Sequence, residues 1–246
     1  MLRFILVRPG ATEIAEQGRI QGCLDVPLSD SGANQVQSTV HALVTEDVDA
    51  VYSGPCVAAQ QTAHEIATNL ESKTKVVDLF RNLDLGLWNG RRIDELKASQ
   101  PKVYKQWQEH PETVSPPGGE TLEDAQNRLR KALLKIVRRR KEGTFVLVLM
   151  EPLASIASSL LRSTEIGDLW KAEQICGCHE SIEIESQKYG KLRIISPKEV
   201  EVVSITYIRA LKPREIKRLK NKINILIDLY SDLKPIKYRN MLAYEC

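Results

Sequence analysis

A chain of 246 residues that is 42% hydrophobic and 27% charged has apolar material for one large domain with an appendage, and a formal net charge of +3 sets it apart from strongly polyanionic or polycationic proteins. No apolar run approaches the ~20 residues of a membrane-spanning helix, and the longest, Phe145-Val146-Leu147-Val148-Leu149-Met150, has the length of a buried strand. Five scattered cysteines (Cys23, Cys56, Cys176, Cys178 and Cys246) and four histidines (His41, His64, His110 and His179) fall at no metal-ligand spacing, which argues against a disulfide framework, a zinc site or another cofactor.

The predicted elements alternate between strand and helix over the first two-thirds of the chain. Leu2 to Val7 is a fully apolar strand, and with no signal-peptide pattern around it the default location is cytoplasmic. Ser29-Asp30-Ser31 caps a helix to about Leu43, Val48 to Ser53 is a second strand, and Pro55 to Asn69 carries a helical pattern with proline in its first turn. Lys75 to Leu79 is a third strand, and Pro111 to Gly119, with paired prolines and glycines, is a loop. Thr121-Leu122-Glu123-Asp124 has the form of a capping box and opens a long helix to about Arg140, which Gly143 ends before the strand Phe145 to Met150. Ile182 to Glu185 and Lys191 to Ile195 read as short strands around a turn at Tyr189-Gly190, and Val200 to Ile208 is a β-branched run of mixed face. Ile216, Leu219, Ile223, Leu226, Ile227 and Tyr230 then repeat at the spacing of one helical stripe, between Pro213 and Pro235. This C-terminal part is the basic one: from residue 197 onward there are 11 Lys/Arg against 6 Asp/Glu, leaving 24 against 26 before it.

Several blocks in this order resemble the histidine phosphatase (phosphoglycerate mutase-like) superfamily. Leu6-Val7-Arg8-Pro9-Gly10-Ala11-Thr12 stands where that family opens with Arg-His-Gly, and Gly18 to Ser29, with Gly32 and Gln35, resembles the loop into its first helix. Tyr52-Ser53-Gly54-Pro55 with Gln61-Thr62-Ala63, Gly86 to Gly90, and Pro116 to Thr121 match the later motifs in order. The resemblance covers residues 1 to about 165 and implies an α/β three-layer αβα sandwich with a mostly parallel sheet at 1–185; beyond it, local spacing alone reads a C-terminal extension at 186–246 with a basic amphipathic helix at about 213–233.

In this family a histidine attacks phosphorus, two arginines and a second histidine hold the phosphoryl oxygens, and an acid protonates the leaving group. By the same alignment Arg8 is the first arginine, while Pro9 replaces the nucleophile, Ala58 the second arginine, Asn82 the acid and Glu151 the second histidine. The proline ring offers no nucleophilic nitrogen, and a carboxylate at 151 repels a phosphate dianion. Both strands that carry these motifs should end at one point, so Arg8 and Glu151 are expected to form an ion pair across a vestigial pocket that also includes Gly10, Thr12, Arg19 and Gln21.

The resemblance therefore implies a catalytically inactive member, a pseudophosphatase with a binding, scaffolding or regulatory role. The competing expectation is a residual phosphatase or phosphoglycerate mutase-type enzyme using Arg8, Arg19 and a carboxylate such as Glu151 or Asp84. Cys56 reads as a small buried residue with no base beside it, Trp88 and Trp107 read as core, and His64 and His179 as structural or exposed. Arg91-Arg92 and Arg138 to Lys141 lack interleaved aromatics, which argues against nucleic acid. A weak anionic ligand at Arg8 or Arg19 stays open. For the C-terminal stripe, docking a protein partner, lying on an anionic surface, homodimerisation and packing on its own domain all stay open.

Overall fold

The strand β1 (Leu2–Val7) buries every side chain but that of Arg3, as a run apolar at its other five positions requires. In the computed structural model, which describes residues 1–140 and 142–184, the chain continues through α1 (Glu13–Glu16), α2 (Asp30–Leu43), β2 (Ala50–Ser53), α3 (Val57–Asn69) and β3 (Thr74–Val76). It then passes α4 (Ile93–Ser99), α5 (Pro101–Glu109), α6 (Leu122–Arg139), β4 (Gly143–Val148), α7 (Leu153–Arg162), α8 (Leu169–Ala172) and β5 (His179–Ile184). Residues 1–193 cluster as one unit, and everything described lies within it. The predicted strand at 191–195, the β-branched run at 200–208 and the predicted basic helix at about 213–233 lie outside the described residues.

The five strands form one sheet in the order β3-β2-β4-β1-β5, parallel throughout except for antiparallel β5. Strand alternation divides the core into two layers. Phe4 and Leu6 of β1 and Phe145 and Leu147 of β4 pack with Leu129 and Leu133 of α6 and Ile156 of α7. Ile5, Val7, Val146 and Val148 face the other way, onto Val36 and Val40 of α2 and Ala63 and Ile66 of α3. The architecture is thus the expected three-layer sandwich with a mostly parallel sheet. Trp88 and Trp107 are core, edge-to-face at 5.6 Å, with Trp170 beside both. No helix among the described residues is long and apolar enough to cross a membrane.

The predicted caps form. Ser29 accepts from the Gly32 amide at the start of α2, and Thr121 accepts from the Asp124 amide at the start of α6. Of the boundaries that differ from expectation, two have a visible cause. The third strand stops at Val76, because Asp78–Phe80 turn as a 3-10 segment and bury Phe80. Gly143 does not end α6, which stops at Arg139; it opens β4 at φ +126°, where an added Cβ would stand 2.4 Å from an Asp49 carboxylate oxygen.

The loop after β1 meets the start of α2 backbone to backbone. A Cβ on Gly10 would lie 2.1 Å from the Gly32 carbonyl oxygen, and one on Gly32 would lie 2.0 Å from that of Ala11. This approach fixes where Arg8 leaves the sheet. Gly10→Ala is expected to lower unfolding free energy by about 3 kcal/mol in urea denaturation, since neither backbone can give way without moving α2 or β1.

Candidate functional site

Val7 and Val148 are direct partners in the parallel β1/β4 ladder, so the loops carrying Arg8 and Glu151 leave the sheet side by side at the carboxyl ends of their strands. Arg8 Nε donates to Glu151 Oε1 at 2.5 Å, and the two residues are 8% and 5% exposed. The ion pair expected from the sequence forms, and it is buried. Glu151 also accepts from the Ser155 amide and hydroxyl at 3.1 Å each, which places its carboxylate on the N-terminal turn of α7.

Arg8 has a second partner that the sequence did not disclose. Its Nη2 donates to Glu180 Oε1 at 3.1 Å, while Glu180 Oε2 accepts from Arg162 at 2.8 Å and from Ser158 at 3.2 Å. Glu180 comes from β5, brought alongside by antiparallel pairing of Leu6 with Glu180. The preceding segment is held to the same loop by the Arg8 amide on the Cys178 carbonyl and the Gly177 amide on the Pro9 carbonyl, both at 2.8 Å. Burial works against the Arg8 charge, but Glu151 and Glu180 outweigh it and hold the guanidinium above its ordinary pKa. Burial likewise pushes the Glu151 carboxyl up, against the pull of Arg8 and Ser155.

Asn82 is a backbone brace. Its amide nitrogen donates to the carbonyls of Gly22 at 2.9 Å and Glu151 at 2.7 Å, tying the loop after β4 to the loop before α2. The Asn82 segment is held in turn by Arg128, which donates to the carbonyls of Leu79, Arg81 and Asn82 at 2.9, 2.6 and 3.0 Å and forms a two-point ion pair with Glu120. Arg128 was missed in the sequence, although a charge on the apolar stripe of α6, between Ala125 and Leu129, was a visible signal.

The remaining expected pocket residues separate into two groups. Thr12 and Gln21 are buried and bonded to each other at 2.5 Å, with Gln21 also donating to the Leu24 carbonyl, so they brace the wall beside Arg8. Arg19 bonds instead to the Gly90 carbonyl and Gln17, and has no contact with Arg8 among the described hydrogen bonds. Asp84 turns away from the expected acid role, because its Oδ1 accepts from the Gly86 amide and the Asn89 side chain. Ala58 is fully buried in the first turn of α3. Cys56 is held in its thiol form, with burial pushing it up to about 11. All four histidines are exposed. Among the described residues no group of three His, Cys, Asp or Glu could hold a metal ion.

One further carboxylate completes the site. Glu173, at the end of α8, is 8% exposed, and its Oε1 has no hydrogen-bond partner among the described residues. Burial pushes its carboxyl up to about 8, the Glu151 charge adds to this, and a backbone hydrogen bond at Gln21 opposes it. No local pattern in the sequence marks Glu173.

Removing one member of the buried pair should be costly. Glu151→Gln is expected to destabilise the fold by roughly 3 kcal/mol in urea, and Arg8→Met combined with Glu151→Leu to recover most of the loss, since the double change removes both charges. Glu173 acts with the opposite sign. An unfolded glutamate titrates near ~4.3, so between there and about 8 the folded chain keeps a proton that the unfolded chain has released. Stability attributable to this group therefore falls as pH rises, by ~1.4 kcal/mol per unit. Glu173→Gln should remove that slope and exceed the parent by a widening margin from pH ~5 to ~8, as read by denaturation at a series of pH values.

Comparison with known proteins matches residues 4–195 to the histidine phosphatase superfamily (branch 1). The chain is 32% identical over 172 residues to Phosphoserine phosphatase 1 of Hydrogenobacter thermophilus, covering 69% of this chain and 81% of that one. It is also 32% identical over 147 residues to a bifunctional protein of Mycobacterium tuberculosis, covering 59% of this chain and 40% of that protein's length. The fold matches that of a mycobacterial glucosyl-3-phosphoglycerate phosphatase in complex with VO3, with a TM-score of 0.66 at 23% identity over 74% of this chain and 90% of the other. With the family match over residues 4–195, and a sheet order and loop motifs in keeping with it, the chain belongs to the histidine phosphatase superfamily.

Proposed function

We propose that this chain is a pseudophosphatase, a histidine phosphatase fold that serves a binding, scaffolding or regulatory role without phosphoryl transfer. The observation that carries this reading is the occupancy of Arg8 by Glu151 at 2.5 Å and Glu180 at 3.1 Å. A guanidinium held by two carboxylates has its Nε and Nη2 engaged by them, and an incoming phosphate dianion would have to displace one carboxylate or stand beside both. Pro9 offers no attacking nitrogen, the exposed histidines offer no replacement, and Asn82, with both amide hydrogens on carbonyls, has no proton to transfer. Residues 186–246 form the C-terminal extension in this reading, and its basic helix at about 213–233 is the proposed contact for a protein partner in the cytoplasm.

The competing reading, a residual phosphomonoesterase or phosphomutase, draws on the phosphatase names of the relatives and on the retained Arg8. Turnover of p-nitrophenyl phosphate, phosphoserine and phosphoglycerates by the parent and by Arg8→Ala separates the two. The expected result is no release of phosphate above buffer from either protein. Turnover by the parent that falls ~100-fold or more in Arg8→Ala would contradict the proposal.

A further inference from the structure

The sheet ends at β3, and that end is open. β3 pairs with β2 on one side and with no other strand among the described residues, and all three of its residues are exposed. The Val51 amide donates to the Lys73 carbonyl and the Val77 amide to the Ser53 carbonyl, both at 2.9 Å, so the odd-numbered residues bond inward to β2. By the alternation of a parallel ladder, the amides and carbonyls of Thr74 and Val76 face outward and form a template for one more strand.

A groove of about 240 Å³ lies beside this edge, between β3 and the C-terminal half of α6. Tyr52, Val77, Leu79 and Ile136 supply its apolar lining. Its charged lining is basic, with Lys75, Lys135 and Arg139 against the single carboxylate of Asp78, and all four side chains are exposed. None of the three cations forms a salt bridge among the described residues. Lys135 and Arg139 lie one helical turn apart on α6, and Lys75, opposite Tyr52 in the ladder, is on the same face of the sheet.

We propose that the β3 edge docks an extended, acidic segment of a partner protein, added to the five-stranded sheet as one further strand. In either direction, the residue opposite Lys75 places its side chain on the groove face, where a carboxylate meets Lys75, Lys135 and Arg139. The residue two positions along shares that face, where an apolar side chain meets Val77 and Leu79. A lysine on an edge strand deters pairing with neutral or basic strands, and an acidic strand turns the same charge into attraction. A second copy is a poor occupant, since two-fold pairing of β3 with itself would set these cations against their own copies. A nucleic acid would leave the outward groups of Thr74 and Val76 unused and set phosphates over an apolar lining. The surface is independent of the chemistry at Arg8, because β2 and β4 stand between β3 and the strand that leads into Arg8.

The test is fluorescence anisotropy of the full chain with a labelled nonapeptide, Glu-Thr-Leu-Val-Glu-Val-Leu-Thr-Glu, whose sequence is the same in both directions. The expected result is saturable binding with Kd on the order of 100 μM at ~50 mM salt, weakened ~10-fold or more at ~500 mM salt. Two versions N-methylated at alternate amides, one in each phase, should differ by ~10-fold or more, because only one phase faces β3. Lys135→Glu combined with Arg139→Glu should cost ~10-fold or more in affinity while the urea transition stays cooperative, and the peptide series on the parent stands without any variant. No saturable binding at low salt, an equal effect of the two methylation phases, or unchanged affinity in the double variant overturns the proposal. So does displacement of the peptide by oligothymidylate, which would assign the cations to nucleic acid, or a parent dimer lost in the double variant, which would assign the edge to a second copy. None of these outcomes bears on Arg8, whose reading phosphomonoester turnover decides.

Discussion

A guanidinium removed from water costs several kcal/mol unless its charge and donors are met, and this fold fixes one at the end of its central strand. Arg8 follows β1 directly, at the point where the loops after β1 and β4 open together, so it cannot turn out to solvent without unpicking the sheet end. A phosphate can meet that demand only while it is bound. Glu151 meets it permanently, from the neighbouring loop, and Glu180 adds a second carboxylate from β5. Once protein carboxylates neutralise Arg8, the buried Glu173 carboxyl is left with an Oε1 that has no hydrogen-bond partner among the described residues, and burial pushes its pKa up to about 8.

Holding Glu151 against Arg8 requires the surrounding loops to be rigid, and the polar residues nearby serve that end. Asn82 fastens the Glu151 backbone to Gly22, and Arg128 with Glu120 fastens the Asn82 segment to α6. Ser155 fixes the Glu151 carboxylate from α7, and Thr12 and Gln21 lock the wall on the other side. Each of these buried polar groups is satisfied by a neighbour in the chain, the pattern of a self-contained core. Glu173 departs from that pattern.

The sheet and its main helices were legible because their signals are local. The apolar runs of β1 and β4, the caps Ser29 and Thr121, and the apolar stripe of α6 each carry their reading within about a dozen residues. The Arg8–Glu151 pair was legible too, since two motifs at the ends of parallel strands must converge. Glu180 and Glu173 were not, because their importance arises from antiparallel pairing of β5 and from the position of α8, both set by tertiary packing. Nothing in His179-Glu180-Ser181 or Ala172-Glu173-Gln174 distinguishes a half-buried or buried carboxylate from a solvated one. The same limit applied to Asp84, whose sequence position beside Asn82 suggested the cleft and whose hydrogen bonds belong to its own loop.

The claim on which the account turns is that Arg8 has a protein carboxylate as its partner and not a phosphoryl group. Calorimetric titration of the full chain with orthovanadate and with inorganic phosphate tests it most directly, because binding is read without any demand for turnover. The account predicts no saturable heat with either anion up to ~10 mM, a ceiling that would register any contact worth more than about 3 kcal/mol. Saturable binding that disappears in Arg8→Ala would contradict it, for it would show that Glu151 and Glu180 yield Arg8 to an anion.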